Sequence, residues 1–544
     1  MLLSYTVGPL TRIGGRRLSS HSPRSAFLAF PAVHRAFAAP SANMDGAGQP
    51  PSKRSRTSSE PRVATRSSAD AGKGTSAAQA PRPTLEVAGV VAQLEPGKTF
   101  SVPGMVVREH IITVPLDYSE QPTRYSGQTI KLFAMEISPP SRKEHLPWLV
   151  YLQGGPGFEA PRPHFVSAWT KPALDSHRVL LLDQRGTGRS APITTTNLAR
   201  RGGPAEQADY LALFRADNIV RDCEVARKLL VPPSSYGGKW AVLGQSFGGF
   251  CVTSYLSMAP EGLLEALLTG GLPPGISSPC SAEDVYAALH RRVLAANDKY
   301  YKRYPGDVAL VGRIVSYLES QPGGAAPLPD GSLLTPRLLQ TLGLGGLGSG
   351  GSFERLHYLL DSFFDAEGDM TPRFAKGFLS WLSWDTNPLY ALLHEPIYCQ
   401  PGGAAGWAAD RVRGGAEFSG AFDAVAAARE GRPVMFTGEC VYRFHFEDVA
   451  ALRPFRETAE LLAAKSDWGR LYDAERLASN RVPTAAIAYL DDLFVDFNMS
   501  QKTATAIQGL KLWATNEYRH SGIRDDGHRI FERLLGMVRN VVFD

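Results

Sequence analysis

The chain has 544 residues, is 43% hydrophobic and 20% charged, and carries a formal net charge of +5. At roughly 150 residues per domain this length accommodates two to four domains with a large core. Mean hydropathy is close to zero and no run of about 18 apolar residues occurs, which excludes a chain of membrane spans. The charge is small for the length and much of it sits near the N-terminus, so no nucleic-acid partner is implied. Cys223, Cys251, Cys280, Cys399 and Cys440 are scattered, odd in number and without C-x-x-C spacing. This pattern argues against a disulfide framework and a zinc site, and for reduced thiols in an intracellular compartment.

Residues 1–44 contain no Asp, Glu or Lys, and carry Arg12, Arg16, Arg17, Arg24 and Arg35 among many Ser and Ala. An Arg-rich, acid-free N-terminus is predicted to be a transit peptide for mitochondrion or chloroplast. Met44 offers an alternative start that would leave the protein in the cytoplasm. Residues 45–83, rich in Ser, Ala, Pro and Gly, are predicted to be disordered, so that 1–83 forms an N-terminal extension. Lys53-Arg-Ser-Arg56 reads as a solvated basic patch rather than a nuclear signal.

From about residue 100 the pattern changes. Short apolar runs recur at Ile130–Ile137, Trp148–Leu152, Val179–Leu182, Trp240–Leu243 and Ala266–Thr269, separated in places by helical stretches such as Asp217–Leu230. Apolar strands alternating with helices predict an α/β fold with a mostly parallel sheet covered on both faces. Between about 281 and 475 helical periodicity dominates, as in Ala282–Tyr304 and Phe353–Phe364. The glycine-rich Leu342–Gly351 lacks the Gly-Lys-Ser/Thr of a phosphate loop and is read as a flexible turn. Strand character returns at Thr484–Leu490 and Leu512–Thr515. The expected organisation is a core over 84–280 and 481–544, with a mainly helical cap over 281–480 inserted into it.

Gly244-Gln-Ser-Phe-Gly-Gly-Phe250 contains G-x-S-x-G between a predicted strand and a predicted helix. A serine on such a turn is the nucleophile elbow of an α/β-hydrolase, with Ser246 as nucleophile. That fold orders its triad as Ser, then acid, then His. The acid belongs after a late strand, and Thr484–Leu490 runs directly into Asp491-Asp492. Asp492 is the expected orienter, with Asp491 and Asp496 as alternatives. His520 and His528 are the histidines that follow. His528, in a Gly-His pair just before an amphipathic helix, is the expected base, and His520 at the end of the last strand is read as structural. The imidazole would take the Ser246 proton and return it to the leaving group.

An oxyanion requires donors placed in advance. Gln153-Gly-Gly-Pro-Gly157 follows an early strand, and its adjacent glycines leave backbone N–H groups unobstructed. The expected donors are the N–H groups of Gly155 and Phe247. Asp183-Gln-Arg-Gly-Thr-Gly-Arg-Ser190 lacks the third glycine of a dinucleotide fingerprint. Arg185 with Asp183 is expected to brace the loop beside the oxyanion turn.

Gly-Gly-Pro-Gly, then Asp-Gln-Arg-Gly-x-Gly-x-Ser, then Gly-Gln-Ser-Phe-Gly-Gly in this order resemble the proline iminopeptidases (prolyl aminopeptidases), in particular their larger members with an extended cap. The resemblance spans roughly residues 100–544. It implies an α/β-hydrolase core with a helical cap, cleavage of N-terminal proline from peptides by serine acyl transfer, and no metal or organic cofactor. It also implies that cap glutamates recognise the free N-terminal imine, at the positions of Glu395 and Glu439. A protonated amine in a partly desolvated pocket requires an opposed carboxylate. Phe158, Phe247 and Tyr442 are candidate pocket walls. The family usually opens the oxyanion motif with histidine, and here Gln153 stands in its place. Two other readings share these residues: an esterase, amidase or broader aminopeptidase with the same triad, and a non-catalytic binding protein, which would need a broken triad.

Overall fold

The computed structural model describes residues 82–541 except 142–144, 167 and 382. The expected transit peptide, Met44 and the basic patch at 53–56 lie outside the described residues. The core is a ten-stranded sheet ordered β1-β2-β3-β4-β6-β5-β7-β8-β11-β12. Its strands are β1 (Thr84–Val87), β2 (Val90–Val102), β3 (Met105–Pro115), β4 (Thr129–Ser138), β5 (Trp148–Leu152), β6 (Arg178–Leu182), β7 (Trp240–Gln245), β8 (Leu263–Thr269), β11 (Thr484–Tyr489) and β12 (Leu510–Thr515). A small separate ladder pairs β9 (Ala326–Pro327) with β10 (Leu333–Leu334).

β1 to β4 form an antiparallel meander joined to β6. From β6 through β5, β7, β8, β11 and β12 the pairing is parallel. The parallel strands are apolar throughout because both faces are covered: all residues of β5, β7 and β11 are buried. One face packs on helices Ala216–Leu230 and Phe247–Met258, the other on helix Gly527–Val538, and each face has its own hydrophobic cluster. β8 and β11 are sheet neighbours although more than two hundred residues separate them in the chain. That intervening segment is the helical cap, whose longest helix is Ala282–Arg303. Among the described residues no helix is long and apolar enough to cross a membrane.

The loop after β6 is held by a buried arginine. Arg185 is 1% exposed. Its Nε and Nη2 donate to Asp222 at 2.7 Å each, and its remaining donors reach the carbonyls of Pro115, Leu116 and Leu213. All five guanidinium N–H groups are thus satisfied, tying the meander to helix Ala216–Leu230. The partner differs from the sequence expectation: Asp183 instead takes a bidentate pair from Arg162 and the N–H of Arg189. Removing the Arg185 side chain leaves Asp222 buried without its counter-charge. Arg185→Leu is expected to lower unfolding free energy by about 3–5 kcal/mol, read by urea denaturation.

Candidate active site

The elbow is built from backbone approaches too close for a side chain. A Cβ on Gly244 would overlap the Gly248 carbonyl, one on Gly248 the Leu152 carbonyl at the end of β5, and one on Gly249 the Gly271 backbone beyond β8. Helix Phe247–Met258 can therefore start directly against two strand ends. Ser246 is left at φ 55°, ψ −123°, a sparsely populated conformation for a residue with a Cβ. Its N–H donates to the Thr269 carbonyl at 2.9 Å.

The loop beyond β12 brings His520, not His528, to this serine. His520 Nε2 lies 2.9 Å from Ser246 Oγ, and its Nδ1 lies 2.9 Å from Asp492 Oδ2. Asp492 Oδ1 accepts the N–H groups of Phe494 and Val495 at 2.8 and 3.1 Å. With Asp492 ionised, Nδ1–H donates to the carboxylate and Nε2 accepts from the serine hydroxyl. Ser246, Asp492 and His520 are all buried. Gln245 fastens the base to the elbow: its Nε2 donates to the His520 carbonyl at 3.2 Å and its Oε1 accepts from the Thr269 hydroxyl at 2.6 Å.

The expectation for His528 is corrected. It lies in the first turn of helix Gly527–Val538, whose buried face carries Ile530, Phe531, Leu534, Met537 and Val538. Position 528 falls well off that face, and the half-exposed imidazole pairs with Glu532 one turn further on. The alternative acids are also accounted for. Asp491 is exposed and pairs with Lys299, and Asp496 caps helix Phe497–Ala506 and pairs with Arg292. A cue for His520 is present in the chain: it falls on the loop directly after the last strand, at the same sheet end as the elbow.

The Gln153–Phe158 turn lies against the nucleophile. A Cβ on Gly154 would come within 2.9 Å of Ser246 Cβ. Gly155 has φ +127°, and a Cβ there would press on Gly157 N and the Phe158 ring. The Gly155 N–H bonds no acceptor among the described residues. Phe247 N–H, at the first position of its helix, has no intrahelical partner. Both are therefore available donors. From the cap, Asn387 Nδ2 donates to the Gly157 carbonyl at 3.0 Å.

The two cap glutamates have different surroundings. Glu439 lies at a bend in the irregular stretch Phe436–Cys440, where the Cys440 N–H donates to the Gly438 carbonyl at 2.9 Å, and Asn297 pins the stretch by exchanging hydrogen bonds with both backbone groups of Phe436. Tyr390 OH donates to Glu439 Oε1 at 3.1 Å. Burial pushes the Glu439 carboxyl up to about 7, against the pull of His520 and Tyr390, and the Asp492 charge adds to the rise. His520 and Asp492 are thus electrostatic neighbours of Glu439. Glu395 is 4% exposed, and its two oxygens accept the N–H groups of Ala408 and Ala409 at the start of helix Ala408–Gly414. Burial raises its carboxyl to about 7 as well, with those two N–H groups opposing. Phe158 packs against Tyr390 with ring centroids 5.2 Å apart, and Phe247 packs against Phe250 beside the elbow. Tyr442 is stacked on Phe444 and His445 inside the cap. Among the described residues no cluster of three or more His, Cys, Asp or Glu side chains is arranged to hold a metal ion.

Residues 147–309 match the family described as alpha/beta hydrolase fold. A proline iminopeptidase of Aeromonas sobria is 44% identical over 442 residues, covering 81% of this chain and 98% of its own length. Proline iminopeptidase aneH of Aspergillus aculeatus is 36% identical over 432 residues, covering 78% and 92% respectively. The chain belongs to the proline iminopeptidase family. The crystal structure of proline iminopeptidase from Mycobacterium smegmatis aligns with 76% of this chain and 96% of its own, with a TM-score of 0.35 and 14% identity. Gln153, at the head of the Gly-Gly-Pro-Gly turn, is held in place: its Oε1 accepts from Tyr151 OH at 2.6 Å, and its carbonyl accepts from Gln184 Nε2 at 3.0 Å. The glutamine thus keeps the turn anchored on the core side.

The geometry separates the two histidines by experiment. His520→Ala is expected to slow labelling of Ser246 by a fluorophosphonate at least about a thousandfold, and His528→Ala to change it less than about twofold.

Proposed function

We propose that this protein is a serine exopeptidase that releases N-terminal proline from peptides through an acyl-enzyme on Ser246. The single observation that carries the reading is the continuous Ser246–His520–Asp492 hydrogen-bond chain with the Glu439 carboxylate as its electrostatic neighbour. In this reading residues 84–280 and 481–544 form the catalytic core and 281–480 the cap. Ser246 Oγ attacks the carbonyl carbon of the N-terminal proline while His520 Nε2 takes the hydroxyl proton. The N–H groups of Gly155 and Phe247 receive the developing oxyanion. The tetrahedral intermediate collapses as the C–N bond breaks, and His520 gives its proton to the departing amine. Water then repeats the sequence on the prolyl ester and frees proline and the serine. Asp492 holds the imidazole in the tautomer that both halves require.

Glu439 is the anchor for the substrate's protonated secondary amine, and Tyr390 OH orients it. Glu395 acts from behind, securing the start of helix Ala408–Gly414, because both of its oxygens are already engaged. The substrates are peptides with a free N-terminal proline. The N-terminal extension directs the protein to mitochondrion or chloroplast, and translation from Met44 would leave it in the cytoplasm.

The purified protein is expected to hydrolyse a prolyl chromogenic amide and to lose that activity in Ser246→Ala; wild-type protein that hydrolyses only esters or N-blocked amides would sink the reading. A second outcome concerns pH. Burial holds the Glu439 carboxyl up at about 7, so below that pH it is neutral and above it attracts the ammonium. KM for a prolyl amide should therefore fall as pH rises through about 7. In Glu439→Gln it should be about tenfold higher or more and flat across that range, with the loss confined to free-amine substrates.

A further inference from the structure

We propose that Phe494 is a positioning residue for the catalytic base, its ring stacked on the face of the His520 imidazole and backed at its edge by Gly348 of the glycine-rich cap segment. The inference rests on reading Ser246, His520 and Asp492 as the triad. The Phe494 and His520 rings are stacked, with centroids 4.4 Å apart and planes 17° apart. Phe494 is joined to the acid as well, because its N–H donates to Asp492 Oδ1 at 2.8 Å. One residue thus touches both partners of the proton relay, by backbone on one side and by ring on the other.

The ring is in turn fixed by the cap. A Cβ on Gly348 would overlap the Phe494 ring edge, with the ring Cζ at 2.9 Å. Gly348 has φ −100°, a conformation open to any residue, so this glycine is required by the space the ring takes and not by its backbone. The flanking residues grip the base loop on both sides of His520. Leu347 C=O accepts from Arg519 Nη1 at 2.8 Å, and Gly350 N–H donates to Ser521 Oγ at 3.0 Å. The segment that the sequence presents as a flexible turn is therefore a clamp on residues 519–521 and on Phe494.

The stacking has a chemical consequence. His520 becomes cationic when it takes the serine proton, and a cation over an aromatic face is stabilised by the ring quadrupole. The same contact limits tilting of an imidazole otherwise held by in-plane hydrogen bonds at its two ring nitrogens. Both effects act on the transition state more than on substrate binding, so they act on kcat.

The test compares Phe494→Met, which keeps length without a π face, with Phe494→Tyr, which keeps the face. It uses the full chain and reads thermal stability, kcat and KM on a prolyl amide, and the rate of fluorophosphonate labelling. Phe494→Met is expected to lower kcat and the labelling rate together by about tenfold with KM within about twofold, and Phe494→Tyr to stay within about twofold of wild type. Gly348→Ala is expected to lower the labelling rate about fivefold in the wild-type background and less than about twofold in Phe494→Met, since it acts through the ring. Unchanged kcat and labelling in Phe494→Met, an equal loss in Phe494→Tyr, or the same Gly348→Ala factor in both backgrounds would overturn the proposal. Labelling needs no amine substrate. Wild type that labels but releases no proline fails the exopeptidase reading alone, and wild type that does not label fails the triad and this inference with it.

Discussion

The active site depends on a steric constraint: at the start of helix Phe247–Met258 there is no room for a Cβ. Gly244, Gly248 and Gly249 let the helix abut the ends of β5 and β8, and that contact holds Ser246 in a backbone conformation it would not adopt alone. The cost of a strained non-glycine residue is about 1–3 kcal/mol, which persists only where the surroundings over-determine it. Here they do so through the Ser246 N–H bond to Thr269 and the packing of the helix on the sheet. The same closeness places the Gly154–Gly155 turn against the nucleophile, so the nucleophile and the candidate oxyanion donors follow from one set of contacts.

Around this fixed centre the other groups arrive on loops and are held by bonds that cross between core and cap. Gln245 links the elbow to the His520 backbone. Asn387 and the Leu389–Tyr390 backbone close over Gly157. The glycine-rich segment meets both Phe494 and the residues on either side of His520. The cap is thus joined to the site from more than one direction. It touches the Gly157 turn on one side and the residues flanking His520 on the other, and it carries Glu439 within electrostatic reach of His520.

Much of the core could be read directly from the chain. The parallel strands are short apolar runs because both of their faces are buried, and the predicted Trp148–Leu152 and Thr484–Leu490 coincide with β5 and β11 to within a residue. The antiparallel strands β2 and β3 were not anticipated. β2 mixes exposed and half-buried residues and contains Pro96 and Gly97, so it offers no clean apolar run. Leu342–Gly351 also departs from its reading, because part of it is the short helix Gly343–Leu347 and its glycines answer to neighbours distant in sequence.

The sequence by itself determined the candidate nucleophile, the candidate acid's place in chain order and the family, because these reside in local patterns: a glycine-flanked serine between strand and helix, and an aspartate at the end of an apolar strand. Which histidine meets Ser246 and Asp492 was decided only by tertiary structure. His520 and His528 are eight positions apart and both follow the acid, but the loop after β12 turns one toward Ser246, while helical periodicity carries the other to solvent. The same holds for the glutamates. Glu395 and Glu439 look alike in the chain and have similarly raised carboxyls, yet folding engages both oxygens of one with helix N–H groups and gives the other a single Tyr390 hydroxyl and the electrostatic influence of His520.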